Sequence, residues 1–184
     1  MNALRAAARL LRLTLHLLRG LHTLRTRFPG LDEAGRQQAI REWSGQTLRI
    51  LGVRLQVLGE PPGTGPLLVV ANHQSWLDIF VMNAARPCRF VSKADVRHWP
   101  IVGRLVAGSG TLFIERDNRR DALRVVHHMA ERLQAGDVLA VFPEGTTGDG
   151  QGVLPFHANL LQAAIATETP IQPVAIRYAD ATDR

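Results

Sequence analysis

The chain of 184 residues contains one cysteine, Cys88, and one lysine, Lys93, among 22 basic residues. A single cysteine excludes an intrachain disulfide and a cysteine cluster for zinc, which fits a reducing compartment. We expect Cys88 to be a small buried residue. The sequence also lacks an HExxH zinc motif, a GxxxxGK phosphate loop and the GxSxG spacing of a nucleophile elbow. Three common catalytic or nucleotide-binding sites are therefore excluded.

Aromatic residues make up only 5% of the chain, although its net charge is +6. A surface that binds nucleic acid would interleave basic residues with aromatic ones. Here six of the 22 basic residues lie within residues 1–27, which contain no acid, and the remaining 157 residues carry 16 basic and 16 acidic residues. The excess charge belongs to one N-terminal segment, and we expect no nucleic acid partner.

The N-terminal segment has no apolar run of the roughly 20 residues that a membrane span needs. On a helical wheel its basic residues gather on one narrow face and its leucines fill the rest. The basic face consists of Arg5, Arg9, Arg12, His16 and Arg19. Such an amphipathic helix is expected to lie in an anionic membrane surface. The alternative is a helix that packs on the protein's own core.

A second helical pattern runs from about Leu31 to Leu51, and FPG at Phe28 to Gly30 marks a turn between the two helices. We expect residues 1–51 to form an amphipathic helix hairpin that docks on a membrane. Residues 52–184 are then expected to form one domain of ordinary size.

From Val53 onward, apolar strand-like runs alternate with helical patterns. The runs are LQVLGE, LLVVAN, CRFVSK, TLFIER, VLAVFPEG and IQPVAIRY. This alternation predicts an α/β fold with a mostly parallel central sheet flanked by helices. In such sheets functional residues collect at the C-terminal ends of the strands.

The stretch NHQSWLD, Asn72 to Asp78, follows the apolar run LLVVA. In a continuous helix, positions five apart are rotated by about 500° and lie on different faces, so a turn must fold between His73 and Asp78. If Asp78 lies in the first turn of the next helix, its carboxylate can sit beside the imidazole and near the positive end of the helix dipole. That is the arrangement of an oriented base. The alternative is an ordinary hydrogen-bonded histidine at a strand end.

Three other strand ends carry polar side chains. Arg116 could clamp a phosphate or carboxylate, or pair with Asp117, and Lys93 could supply a compact ammonium or reflect composition alone. Glu144 stands at the edge of a glycine-rich loop whose free backbone amides could face an anion. Its carboxylate could accept a hydrogen bond from a substrate hydroxyl or hold Arg116. A plain loop is the alternative.

Four blocks of this sequence together resemble the glycerolipid acyltransferases that include 1-acylglycerol-3-phosphate acyltransferase. NHQSWLD resembles the family's NHxSxxD block, and GTLFIER, FPEGT and TPIQPVAIRY resemble its second, third and fourth blocks. The resemblance implies transfer of a fatty acyl group from acyl-CoA or acyl carrier protein to the free hydroxyl of lysophosphatidic acid, giving phosphatidic acid in phospholipid biosynthesis. It implies neither a metal nor a cofactor besides the thioester co-substrate.

The resemblance also implies residue roles. His73 would be the general base, and Asp78 would orient the imidazole. The substrate would be bound by Lys93, Arg116, Glu144, Gly145 and Thr146. The family's N-terminal helix pair is similarly thought to dock on the bilayer, so the protein is expected at the cytoplasmic face of the cell membrane as a monotopic or peripheral protein, with a lipid surface and a lysophospholipid as partners.

The sequence departs from the family pattern after FPEGT. Many relatives continue with an arginine that helps to hold the phosphate, whereas this chain has Thr147, followed by Gly148 and Asp149. The departure keeps another lysolipid, such as lyso-ornithine lipid, as an alternative acceptor.

Overall fold

A computed structural model of the chain describes residues 3–60, 64–114 and 119–179. Its helices are α1 Ala3–Thr26, α2 Glu33–Leu51, α3 Asp78–Ala85, α4 Val102–Gly108, α5 Arg119–Gln134 and α6 Gln162–Ala166. Its strands are β1 Leu67–Ala71, β2 Arg89–Lys93, β3 Leu112–Ile114, β4 Val138–Val141 and β5 Ile171–Val174. Short 3₁₀ turns occupy Phe28–Gly30, Ala94–His98 and Ala158–Leu161.

The chain divides into two compact units. The first comprises the described residues within Met1–Pro62, Ile79–Pro87 and Asp95–Thr111, and the second those within Gly63–Asp78, Cys88–Ala94 and Leu112–Arg184. The first unit therefore adds two later segments to the N-terminal helices, whereas the sequence predicted a boundary at residue 51. That boundary stays a prediction.

The second unit is built on a five-stranded sheet in the order β3-β2-β4-β1-β5, and every neighbouring pair is parallel. All five residues of β1 are buried, as expected for a strand covered on both faces. Helices α5 and α6 contribute Met129, Leu133 and Ala163, which are 0% exposed, to the core beside Leu68 and Leu139. The prediction of an α/β fold with a mostly parallel sheet flanked by helices is confirmed.

One predicted strand is wrong. The run LQVLGE, residues 55–60, forms no strand. Its side chains Val57 and Leu58 are 47% and 85% exposed, so no burial compensates for ordering the backbone. Gly59 adopts a φ of 86°, which is outside the range of a β-strand.

The first unit is organised around the packing of α1 on α2. The ring of His16 stacks on that of Trp43 at a centroid distance of 4.9 Å, and its Nε2 lies 3.0 Å from Oγ1 of Thr47. A Cβ on Gly20 would come within 2.7 Å of the Trp43 indole nitrogen, so the helices approach closely only because this residue is glycine. His16, which the helical wheel places on the basic face with the arginines, is only 3% exposed, so at this position the helix packs on the protein itself.

Helix α2 begins and ends at recognisable caps. The carboxylate of Asp32 accepts the N–H of Gly35 at 2.8 Å, and Gly52 closes the C-terminal end with a φ of 79°. Among the described residues, no helix is both long enough and apolar enough to cross a bilayer. Cys88 is 7% exposed, and the expectation that it is buried is confirmed.

Candidate active site

The turn between β1 and α3 brings His73 and Asp78 together. β1 ends at Ala71, and α3 begins at Asp78, whose N–H donates to the carbonyl oxygen of Ser75 at 3.0 Å. Nδ1 of His73 lies 2.8 Å from Oδ2 of Asp78. The Asp78 side chain is 0% exposed and that of His73 is 19% exposed. The contact expected from the five-residue spacing is therefore present.

The Asp78 carboxylate accepts three further hydrogen bonds. Oδ2 accepts the N–H groups of Gln74 and Ser75 at 2.7 and 2.9 Å, and Oδ1 accepts the hydroxyl of Tyr178 at 2.6 Å. Burial alone would raise the pKa of Asp78, but the bonds from His73, Tyr178, Ser75 and Gln74 outweigh it and lower that pKa below its ordinary value. The carboxylate is thus ionised at neutral pH.

An ionised carboxylate next to Nδ1 fixes the tautomer of the imidazole. Since the Asp78 carboxylate can only accept, Nδ1 of His73 carries a proton, and in the neutral imidazole the lone pair is then on Nε2. One face of the ring stacks on Phe142, at a centroid distance of 4.1 Å and an interplanar angle of 13°. Phe142 in turn stacks on Phe90 of β2 at 5.8 Å. The ring is therefore held at one edge by Asp78 and on one face by Phe142. This leaves Nε2 as the nitrogen that can accept a proton as a general base.

The loop after β4 holds the main chain of His73. Oε1 of Glu144 accepts the N–H of His73 at 2.6 Å, and the N–H of Gly148 donates to the carbonyl oxygen of His73 at 2.7 Å. Oε2 of Glu144 accepts the N–H of Leu154 at 2.8 Å, and the residue is only 5% exposed. These contacts make Glu144 a support for His73. A direct bond from Glu144 to substrate stays a prediction.

The glycines of the loop close turns. Gly145 adopts a φ of 71°, which favours glycine, and its N–H donates to the carbonyl oxygen of Phe142 at 3.1 Å. With the N–H of Gly148 bound to His73, the prediction of free backbone amides is wrong for both glycines. Thr146 is exposed. Substrate binding by Gly145 and Thr146 stays a prediction.

Of the two cations predicted to bind substrate, only Lys93 is among the residues that the structure describes. Lys93 is the last residue of β2 and is exposed. β4 separates β2 from β1, so the strand end that carries Lys93 lies about two strand spacings, roughly 10 Å, from the end that carries His73. Arg116 lies outside the described residues, and substrate binding by both cations stays a prediction.

Comparison with known proteins shows the family to which this chain belongs. Residues 52–177 match the family model named Acyltransferase. The chain belongs to the acyltransferase family. It is 42% identical over 157 residues to the lyso-ornithine lipid O-acyltransferase of Pseudomonas aeruginosa, covering 85% of this chain and 60% of that protein. It is 39% identical over 178 residues to the 1-acyl-sn-glycerol-3-phosphate acyltransferase of Neisseria meningitidis, covering 96% of this chain and 69% of that protein.

A solved structure of the family supports the same assignment. The crystal structure of the 1-acyl-sn-glycerophosphate (LPA) acyltransferase PlsC from Thermotoga maritima matches with a TM-score of 0.70 and 26% identity. The match covers 91% of this chain and 73% of that one. The family resemblance predicted from the four blocks is therefore confirmed. This acyltransferase chain spans only 60% of the length of its Pseudomonas relative.

Sequence reasoning missed several residues of this candidate site. The side chain of Asn72 bonds both the N–H and the carbonyl oxygen of Ile176, at 2.7 and 3.0 Å, and Nε2 of Gln74 donates to the same carbonyl at 2.8 Å. Tyr178 and Phe142 were also assigned no role. The available signal was their position inside the NHQSWLD, FPEGT and TPIQPVAIRY blocks, but nothing in the sequence alone pairs residues about 100 positions apart.

The described part of the acyltransferase chain contains no group of three or more His, Cys, Asp or Glu side chains arranged to hold a metal ion. The expectation that catalysis needs neither a metal nor a resident cofactor stays a prediction.

Proposed function

We propose that this protein transfers a fatty acyl group from a thioester to the free hydroxyl of a lysolipid, with His73 as general base. The observation that carries the proposal is the 2.8 Å contact between Nδ1 of His73 and the buried Asp78 carboxylate in a chain of this family. The imidazole and its carboxylate both follow β1, at the C-terminal edge of a parallel sheet, where active sites of α/β proteins form.

The chemistry requires little besides an oriented base. A thioester is already activated, and its thiolate leaves readily, so the demanding step is removal of the hydroxyl proton as the oxygen attacks the carbonyl carbon. Nε2 of His73 takes that proton, and the Asp78 carboxylate stabilises the imidazolium that forms. When the C–S bond breaks, the imidazolium returns the proton to the departing thiolate. Acyl-CoA and acyl carrier protein are both suitable donors.

The preferred acceptor in this proposal is lysophosphatidic acid, with phosphatidic acid as product. Relatives of similar identity carry two names: 1-acyl-sn-glycerol-3-phosphate acyltransferase and lyso-ornithine lipid O-acyltransferase. Lys93 and Arg116 are the cations proposed to hold a phosphate. Thr147, where the family pattern given above has arginine, favours lyso-ornithine lipid as the alternative acceptor.

The experiment offers purified protein both acceptors side by side in anionic micelles, with labelled acyl-CoA or acyl carrier protein as donor. Preference for lysophosphatidic acid would support it as the acceptor. Lys93→Ala should then raise the KM for lysophosphatidic acid. Preference for lyso-ornithine lipid would establish that lipid as the acceptor. His73→Ala is expected to lose at least about 100-fold in kcat. Activity close to wild type in His73→Ala would refute the assignment of the base.

Membrane docking by α1 is also part of this proposal. Leu4, Leu11, Leu15 and Leu18 are 47 to 85% exposed, and on a helix they fall within an arc of about 60°. Exposed arginines flank this stripe on one side: Arg5, Arg9, Arg12 and Arg19. Leucines in the acyl boundary with arginines at the headgroups suit an anionic bilayer surface such as the cytoplasmic face of the cell membrane.

A further inference from the structure

Tyr178 contacts the oxygen of Asp78 that faces away from His73. Its hydroxyl donates to Oδ1 at 2.6 Å, whereas the bonds from His73, Gln74 and Ser75 all end on Oδ2. Among the described residues, Tyr178 is the donor to Oδ1. The two oxygens of the carboxylate are therefore held by donors from opposite ends of the second unit's sequence.

The segment that carries Tyr178 is fixed to the turn that carries His73. Asn72 accepts the N–H of Ile176 and donates to its carbonyl oxygen, as a neighbouring strand would, and Gln74 donates to the same carbonyl. These three bonds extend the pairing of β1 with β5 beyond Val174. They place Tyr178 within hydrogen-bond distance of Asp78.

A carboxylate at 0% exposure needs donors on both oxygens, because a buried charged oxygen without a hydrogen-bond donor costs free energy. Without the Tyr178 hydroxyl, Oδ1 loses this donor, which favours protonation of the carboxylate or its rotation towards other donors. Rotation would disturb the bonds of Oδ2 to His73 and to the turn. The hydroxyl therefore acts on the imidazole through the carboxylate.

We propose that Tyr178 is a positioning residue of acyl transfer, whose hydroxyl keeps the Asp78 carboxylate ionised and aligned with Nδ1 of His73. The inference rests on the proposed function, which makes His73 the base. Tyr178 is suited to this task, because burial and the Asp78 carboxylate raise the pKa of its phenol well above the ordinary value. The phenol stays a donor throughout the pH range in which a histidine base works.

The contact can be tested without any measurement of activity. Tyr178 is the only tyrosine of the chain, so the ultraviolet absorbance change of phenolate formation reports on this residue alone. In Asp78→Asn the phenol should ionise at lower pH than in the wild type, because the negative charge beside it is gone. Asn72→Ala, which releases Ile176, should shift the ionisation in the same direction. If the Tyr178 phenol ionised at the wild-type pH in both folded variants, the contact between Tyr178 and Asp78 would be refuted.

The role is tested with Tyr178→Phe, which keeps the ring and removes only the hydroxyl. We expect kcat to fall about tenfold at neutral pH, with the KM for the lysolipid unchanged, since a hydrogen bond to a charged group is lost. Without this donor the Asp78 carboxylate holds a proton more strongly, and a proton shared by Asp78 and His73 belongs to the pair, so the acidic limb of the profile of kcat/KM against pH should move to higher pH. A purely structural residue would lower the melting temperature without moving that limb.

Two controls separate the possible failures. If His73→Ala is inactive and Tyr178→Phe has the kcat and pH profile of the wild type, the inference about Tyr178 is wrong and the proposed function stands. If His73→Ala stays active, the proposed function itself has failed. The double variant Asn72→Ala/Tyr178→Phe should lose no more than the larger single effect, because both substitutions act through Asp78; additive losses would contradict that shared route.

Discussion

Glu144 fixes the main chain of His73 across 71 positions of sequence: its Oε1 accepts the N–H of His73 at 2.6 Å. The loop that begins at Glu144 also donates the N–H of Gly148 to the carbonyl oxygen of His73. The histidine is thus held at both of its main-chain polar groups by one loop and at its ring by Asp78. A base with so few free motions loses little entropy on reaching its reactive geometry.

Replacing Glu144 with glutamine should impair catalysis more than substrate binding. An amide has one carbonyl oxygen, so either the N–H of His73 or that of Leu154 would lose its acceptor and face an NH₂ group. We expect the free energy of unfolding to fall by about 1–3 kcal/mol and kcat to fall about tenfold or more. Steady-state kinetics and urea unfolding measure the two effects.

Asp149→Asn is the matched control for Glu144→Gln, because Asp149 is an exposed acid of the same loop and accepts one bond, from the N–H of Gln151. It should change both quantities little. If Glu144→Gln instead raised the KM for the lysolipid and left kcat intact, Glu144 would contact the substrate, as the sequence predicted.

The contacts of this site that the sequence predicted are those between residues close together in the chain. His73 and Asp78 are five residues apart, so an apolar strand followed by a helical pattern was sufficient to predict their contact. The bonds that Glu144 accepts from His73 and that Tyr178 donates to Asp78 depend on the strand order β4-β1-β5, which hydrophobic periodicity does not determine. Similarly, the wheel of α1 identified an amphipathic helix but could not show that the arc around His16 packs on α2.

The wrong strand LQVLGE has a different cause. Alternating apolar residues predict a strand only if a buried surface is available on one side. Val57 and Leu58 are exposed, so the local pattern had no tertiary partner. The buried runs LLVVA and VLAV, in contrast, pair with each other at the centre of the sheet.

Asp78→Asn should reduce stability in a pH-dependent manner. The folded protein holds the pKa of Asp78 below its ordinary value of 3.8, so this group adds stability that is present above that pH and is lost as the pH falls through the folded pKa. The difference in free energy of unfolding between wild type and Asp78→Asn should be about 1–3 kcal/mol near neutral pH and shrink on acidification. Urea unfolding at several pH values checks the trend, and a difference that grew towards acid would contradict it.

The leucine stripe of α1 is predicted to carry membrane affinity. A buried leucine side chain contributes about 1.5 kcal/mol or more, so Leu11→Ser/Leu15→Ser should weaken binding to anionic vesicles by roughly 100-fold. Leu123→Ser, which changes a 67% exposed leucine of α5, is the matched control and should bind as the wild type does. Sedimentation with vesicles measures the affinity. Equal binding by all three proteins would assign the membrane contact to another surface.

Acidification should weaken the first unit through His16. Burial lowers the pKa of His16 below its ordinary value of 6.5, and the positive charge of Arg19 lowers it further. A hydrogen bond to the carbonyl oxygen of Trp43 opposes these two effects but does not cancel them. As the pH falls below about 6.5, the unfolded chain takes up a proton at this position before the folded chain does, so the free energy of unfolding falls until the folded pKa is passed.

His16→Gln removes this linkage and is therefore expected to flatten the loss of stability between about pH 7 and pH 5, although it costs stability at neutral pH by disturbing the stack on Trp43. His127→Gln is the matched control, because the side chain of that histidine is 73% exposed and its described contacts, with Glu131 and His128, lie on its own helix. Urea unfolding followed by helical ellipticity should give the wild-type slope for His127→Gln. A wild-type slope for His16→Gln as well would mean that other groups account for the acid sensitivity, and that His16 is accommodated in its protonated form without opening the contact between α1 and α2.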